Sequence, residues 1–260
     1  MYADLKGKVV VVTGGSSGIG EAISKRFVEE GCVVYNFDLK EKPMKGVEFI
    51  RVDVSNRDSV VQGVRSVVGE VGKLHVVVNN AGVESYGTVT ETSEEEWDRI
   101  INVNLRGAFL VTKYSIPEIL RSGGGVIIYM ASVQSFSIQN RVAAYATSKH
   151  ALVGLAKSVA LDYAPQVRAV AVAPGSVRTP LLEWAARSEV GEDPQAIEEK
   201  IKEWGNLHPM GRVASPEEIA NVVVFLSSNQ ASFITGTTVV VDGGLVAKLP
   251  QSVPKGEKRF

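Results

Sequence analysis

A single cysteine, Cys32, stands among 260 residues, so no disulfide can close within the chain. One Cys and three scattered His also lack the spacing of a zinc site, and no metal is expected. No apolar run approaches the roughly 20 residues that span a bilayer, which argues against a membrane partner. Neither sign of charge is in excess, with 28 Lys+Arg against 29 Asp+Glu, so there is no electrostatic reason to expect nucleic acid. The opening stretch MYADLKGK is charged where a secretion signal needs its apolar segment, and a cytoplasmic location is expected.

What the chain does have is apolar content, 45% of its residues, enough to bury a substantial core. Short runs rich in Val and Ile recur at Val9–Thr13, Val33–Asp38, Glu48–Val52, Leu74–Val78, Val126–Met130, Arg168–Ala173 and Thr238–Val241. Most are continuous rather than alternating, as parallel strands covered on both faces require. Between them lie amphipathic stretches that read as helices: Ser55–Val71, Glu94–Arg121 in one or two pieces, Tyr145–Tyr163 and Pro216–Ser227. Capping boxes open two of these, Ser93/Glu96 and Ser215/Glu218, with Pro216 at a first helical position. The alternation predicts an α/β fold, a doubly wound seven-stranded parallel sheet with helices on both faces. Seven strands in that rhythm use most of the length, so residues 1–260 read as one domain.

Two segments break the rhythm. Val177–Arg212 is a long excursion carrying Trp184, Trp204 and His208, and Val246–Phe260 is a basic tail. Ligands of open α/β sheets bind beyond the carboxyl ends of the strands, where the excursion begins, so a substrate lid is expected of it.

The first strand runs into Thr13-Gly14-Gly15-Ser16-Ser17-Gly18-Ile19-Gly20, which opens a helix. Glycines there allow a tight turn and let backbone N–H groups approach a pyrophosphate at the positive end of the helix. This is a Rossmann-type arrangement. Asp38 ends the second strand, where a carboxylate accepts both adenosine ribose hydroxyls and repels a 2′-phosphate; this favours NAD over NADP, with Lys40 and Lys42 nearby as the opposing feature. Asp53-Val54, Asn80-Ala81-Gly82 and Pro174-Gly175 end further strands on the same edge and complete a nucleotide crevice, with Leu39 beside Asp38.

Tyr145 and Lys149 lie four apart on one helix face. A tyrosine hydroxyl is a poor base at neutral pH, but a neighbouring ammonium favours its phenolate. Ser132 ends the fifth strand thirteen residues earlier, and Asn104 sits within a helical stretch where Asn is unfavourable.

In this order the loop 13–20, Asn79-Asn80-Ala81-Gly82, Asn104, Ser132, Tyr145-x3-Lys149 and Pro174-Gly175 resemble the short-chain dehydrogenase/reductase family. The resemblance implies that Tyr145 is the general acid/base and that Lys149 lowers its pKa and holds the nicotinamide ribose. It implies that Ser132 hydrogen-bonds the reacting oxygen and that Asn104 holds a water in a proton relay. Ser16, Ser17, Gly18, Ile19, Val177 and Thr179 are implied cofactor contacts, Thr179 at the nicotinamide amide. A homotetramer is also implied, with the tail over a neighbouring subunit.

Loops choose substrates. Glu84, Gln134, Gln139 and Asn140 are expected to make a polar mouth, with Ser132 and Tyr145 as further substrate contacts, and Tyr86 or a Trp, such as Trp184, is expected to stack on a sugar ring. Val83-Glu84-Ser85-Tyr86-Gly87, Val190-Gly191-x-Asp193-Pro194, Glu203-Trp204-Gly205 and His208-Pro209-Met210 resemble the aldohexose dehydrogenases of thermophilic archaea. That likeness implies oxidation of an aldose at C1 to an aldonolactone, with the sugar as small-molecule partner. A 3-oxoacyl or other hydroxy/keto reductase and an NAD-binding sensor without turnover stay open as alternatives.

Overall fold

Residues 1–248 are described by a computed structural model. Seven strands form one all-parallel sheet: β1 Val9–Thr13, β2 Val33–Asp38, β3 Val47–Arg51, β4 Val76–Asn79, β5 Gly125–Met130, β6 Val167–Pro174 and β7 Thr238–Val241. Their spatial order is β3-β2-β1-β4-β5-β6-β7, so the order reverses between β1 and β4. Continuous apolar strands require cover on both faces, and they receive it. Val9 and Val11 face a layer built from α2 (Arg57–Val71), α4 (Gly107–Arg121) and α5 (Ala143–Tyr163), among Val64, Val111, Ile119 and Leu152. Val10 and Val12 face α1 (Gly18–Glu29) and α8 (Pro216–Ser227), among Ile23, Phe27, Ile219 and Val223. The expected α/β architecture is observed.

Three details go beyond the residue pattern or differ from it. The stretch Glu94–Arg121 is α3 (Glu94–Ile101) and α4 joined by a π-type turn over Asn102–Arg106. Wide turns of that kind cluster at functional sites, and this one contains Asn104. The fourth strand begins at Val76 rather than Leu74, because the Leu74 N–H turns to the Ser122 hydroxyl, 2.9 Å away.

The third difference is the excursion, which is helical. It forms α6 (Pro180–Val190) and α7 (Pro194–Leu207). Thr179 caps α6 through the Leu182 N–H, and Asp193 caps α7 through the Gln195 N–H, each with Pro at the first position. Ala186, Ile197 and Ile201, with Leu182 and Trp204, make a small core of their own. Of the tail, only Val246–Lys248 falls within the described residues, so the expectation that it covers a neighbour lies outside them.

Candidate active site

The carboxyl ends of the strands open into one cavity of about 1200 Å³ that runs from Asp38 and Leu39 past Ser132 and Tyr145 to Trp204 on α7. At its first end the glycine loop is held by side chains of neighbouring strands. Gly14 has φ +64°, and a Cβ there would stand 2.9 Å from the Ala81 Cα. A Cβ on Gly20 would overlap the Gly14 carbonyl. Neither position admits a side chain, which leaves room for a ligand's phosphates beside backbone N–H groups at the start of α1.

Asn36, in the middle of β2, accepts from Gly15 N–H at 2.8 Å and donates to Ser16 Oγ at 2.8 Å. Asp38 accepts from Ser16 N–H at 3.1 Å, Leu39 N–H at 2.7 Å and Lys40 N–H at 3.2 Å. Asp38 therefore braces the loop as well as facing the cavity. Lys42 is drawn to Glu21, at 2.7 Å, which also holds Lys25 and so has its carboxyl lowered. Sequence reasoning missed Asn36; an Asn inside an otherwise apolar strand was the available signal.

At the switch point the two loops knit together. Thr13 Oγ1 accepts from the N–H groups of Asn80 and Ala81, each at 2.9 Å. Asn80 Nδ2 donates to the carbonyls of Thr13 and Gly14 at 3.0 and 3.1 Å. Asp53 binds the Ser55 N–H and hydroxyl, at 2.9 and 2.7 Å, and still faces the cavity with Val54.

At the other end of the cavity the polar side chains of Ser132 and Lys149 are buried. Lys149 is 6% exposed, and its Nζ donates to the Met130 carbonyl at 2.7 Å and lies 5.4 Å from the centre of the Tyr145 ring. Burial lowers Lys149 to about 8, with the Glu84 carboxylate pulling the other way. Burial, then Glu84, push the Tyr145 hydroxyl above its ordinary value, while a hydrogen bond to Ser132 opposes them. The residue pattern predicts a phenol lowered by its ammonium neighbour; in the fold, desolvation and the Glu84 carboxylate raise it. Glu84 is itself raised to about 7, again by burial first, with Lys149 opposing.

Asn104 is 1% exposed. Its side chain clamps the Val83 backbone, accepting from the N–H at 2.8 Å and donating to the carbonyl at 2.9 Å, and it also donates to Ser148 Oγ at 3.0 Å. The residue next to Glu84 is thus fixed by the π-type turn. Gly82 lies between Asn104 and Lys149, since a Cβ there would be 3.5 Å from Asn104 Oδ1 and 3.7 Å from Lys149 Nζ.

Among the expected site residues, Gly14, Ser17, Gly18, Ile19, Pro174, Gly175, Val177 and Thr179 border the cavity, as do Glu84, Gln134 and Asn140. Ser16, Gly20 and Asn104 lie behind its wall as supports. Trp184 is not on the wall: its ring stacks on Tyr86, with centroids 5.8 Å apart and planes 10° apart. The aromatic that does face the cavity from the excursion is Trp204.

A family model described as enoyl-(acyl carrier protein) reductase matches residues 14–246. The chain is 48% identical to the ligand-free aldohexose dehydrogenase of Thermoplasma acidophilum, with a TM-score of 0.97 over 98% of this chain and 100% of that one. It is 32% identical to a 3-ketoacyl-(acyl-carrier-protein) reductase from Brucella melitensis complexed with NADH, with a TM-score of 0.83 over 93% of this chain and 99% of that one. A 3-oxoacyl-(acyl-carrier-protein) reductase of Thermotoga maritima is 35% identical, covering 93% of this chain and 99% of its own length.

Proposed function

Because the chain belongs to the short-chain dehydrogenase/reductase family, we propose that its oxidoreductase chemistry is the oxidation of an aldohexose at C1 with NAD. The observation that carries the substrate reading is the wall beside Tyr145. There the half-buried Glu84 carboxylate supplies acceptors for hydroxyls on a small neutral ligand, with Gln134 and Asn140 on the same wall. The likeness to an aldohexose dehydrogenase supports it.

In this reading, Asp38 takes the adenosine ribose, the Gly14–Gly20 loop takes the pyrophosphate, and Lys149 with Thr179 positions the nicotinamide end. Bound there, oxidised nicotinamide supplies the hydride acceptor and a positive charge. Tyr145, once its own proton has passed to the relay through Lys149 under the pull of that positive charge, takes the proton from the C1 hydroxyl, and Ser132, buried and beside it, orients that oxygen. In this reading Asn104, held by Val83 and Ser148, holds a water in a proton relay to Lys149. Exposed apolar side chains on α4 and α5, Phe109 at 46% and Leu161 at 82%, support the proposed homotetramer. Light scattering on a sizing column would test that state, and a monomer would dismiss it.

A second reading, reduction of 3-oxoacyl groups, draws on the apolar Ile138, Leu182 and Leu207 in the same cavity and on the two acyl-carrier-protein reductase relatives. Turnover of aldohexoses, polyols and β-hydroxyacyl thioesters, each with NAD and NADP, separates the two. Activity confined to acyl thioesters defeats the sugar reading.

Glu84→Gln tests the wall. Loss of the carboxylate raises sugar KM about tenfold or more, as expected for charged hydrogen bonds worth 1.5–3 kcal/mol, and leaves KM for NAD little changed. The same variant should be more stable. An acid whose folded pKa is raised from 4.5 to about 7 destabilises the fold increasingly over that interval and by a constant amount above it. The gain on substitution is then absent near pH 4.5 and full above pH 7, on the order of 1–3 kcal/mol, or a few degrees in Tm for a chain this size. Melting curves at pH 5 and pH 8 read it directly; equal Tm values at pH 8 would show that Glu84 is not held in a desolvated place.

A further inference from the structure

We propose that His208 is a positioning residue, which registers the excursion helices on the loop that holds the nicotinamide end of the cofactor. The inference rests on the dinucleotide reading above but not on the sugar.

His208 follows α7 directly and is 4% exposed. Its two ring nitrogens are engaged on different elements. Nε2 accepts from the Ser176 N–H at 3.1 Å, in the loop after β6, and Nδ1 lies 3.0 Å from the Trp204 carbonyl in the last turn of α7. A backbone N–H can only donate, so Nε2 carries the lone pair and Nδ1–H donates to Trp204. One neutral tautomer serves both partners, whereas an imidazolium would aim an N–H at an N–H.

Both partners belong to cavity walls. The loop carries Gly175, Val177 and Thr179, and α7 carries Trp204 and Leu207, all of which line the cavity. The fit is close: a Cβ on Gly175 would be 2.8 Å from His208 Nε2. A cap for α7 alone would need only the Trp204 bond, so the Ser176 bond is what joins the two walls. Beyond the ring, a small cavity of about 90 Å³ is shared with Arg212, Glu218 and Asp242. Arg212 pairs with Glu218 at 2.6 Å, and Asp242 accepts from the N–H groups of Gly244 and Val246 at 2.9 and 2.8 Å. These charged groups have their own partners, and the ring keeps its two backbone bonds.

His208→Leu keeps the volume and removes the acceptor, while His208→Gln can place an amide oxygen near the position of Nε2. With the full-length protein, NADH fluorescence titration should show Kd at least fivefold higher in the Leu variant, with KM for NAD rising in parallel and kcat changing less. The Gln variant should recover to within about twofold of the parent. Kd and KM unchanged in a folded Leu variant would overturn the proposal while leaving the dinucleotide reading intact; failure of the parent protein to bind NADH would overturn both. If the Leu variant does not fold, ¹⁵N-histidine NMR on the parent decides, with only His75, His150 and His208 to assign. An unprotonated Nε2 whose resonance moves on NADH addition upholds the role, and a protonated Nε2, or one indifferent to NADH, rejects it.

Discussion

Tyr145→Phe should lower kcat for sugar oxidation by at least about 10²–10⁴-fold, the range that positioned proton transfer contributes, while NADH binds within about twofold of the parent. The split follows from the site. The phenol ring packs under the Lys149 ammonium, 5.4 Å from its centre, and Phe preserves that contact and the burial of both. Only the hydroxyl to which the proton transfer is assigned is lost. Stopped-flow turnover with parallel NADH titration separates the two quantities, and residual activity above a tenth of the parent's would remove Tyr145 from the proton-transfer step. A second readout is available because the Glu84 carboxylate is one of the groups holding the phenol up. In Glu84→Gln the acid limb of the kcat/KM profile should move to lower pH; a limb that stays in place would mean that another group sets it.

The second large effect concerns Asp38. Its carboxylate faces the cavity and also accepts three backbone N–H groups, so Asp38→Ala would loosen the glycine loop as well as remove the charge. Asp38→Asn is the milder variant, because its amide oxygen can keep the Leu39 and Lys40 bonds while only the Ser16 N–H loses its acceptor. Juxtaposed like charges cost several kcal/mol, so relieving the clash with a 2′-phosphate should shift the NAD/NADP ratio of kcat/KM toward NADP by about 10–100-fold, with 1.4 kcal/mol for each factor of ten. Lys42 is held by Glu21 in the parent, which fits a loop that is not arranged to take a phosphate. An unaltered ratio in the Asn variant would show that another group reads the ribose.

The excursion shows how far residue patterns reach and where they stop. Thr179-Pro180 and Asp193-Pro194 are cap-and-proline starts that announce α6 and α7 in the sequence. Their short apolar faces were hidden because the core they form, around Ala186, Ile197 and Ile201, is local and small. Trp184 and Trp204 could not be told apart by composition. Which ring faced the cavity depended on how α6 and α7 pack, and that packing turned Trp184 onto Tyr86.

Strand rhythm, the glycine loop and the ordered set Asn104, Ser132, Tyr145 and Lys149 were legible in the sequence alone, because each depends on local spacing or on chain order along a parallel sheet. They determined the fold class and the family. The tertiary structure decided the electrostatics and the supports. Burial rather than sequence proximity sets the direction of the shifts at Tyr145, Lys149 and Glu84, since desolvation depends on everything packed around a group. The bonds of Asn36 to Gly15, Asn104 to Val83 and His208 to Ser176 join residues 21 to 32 positions apart, a range in which only the folded chain decides which donor meets which acceptor.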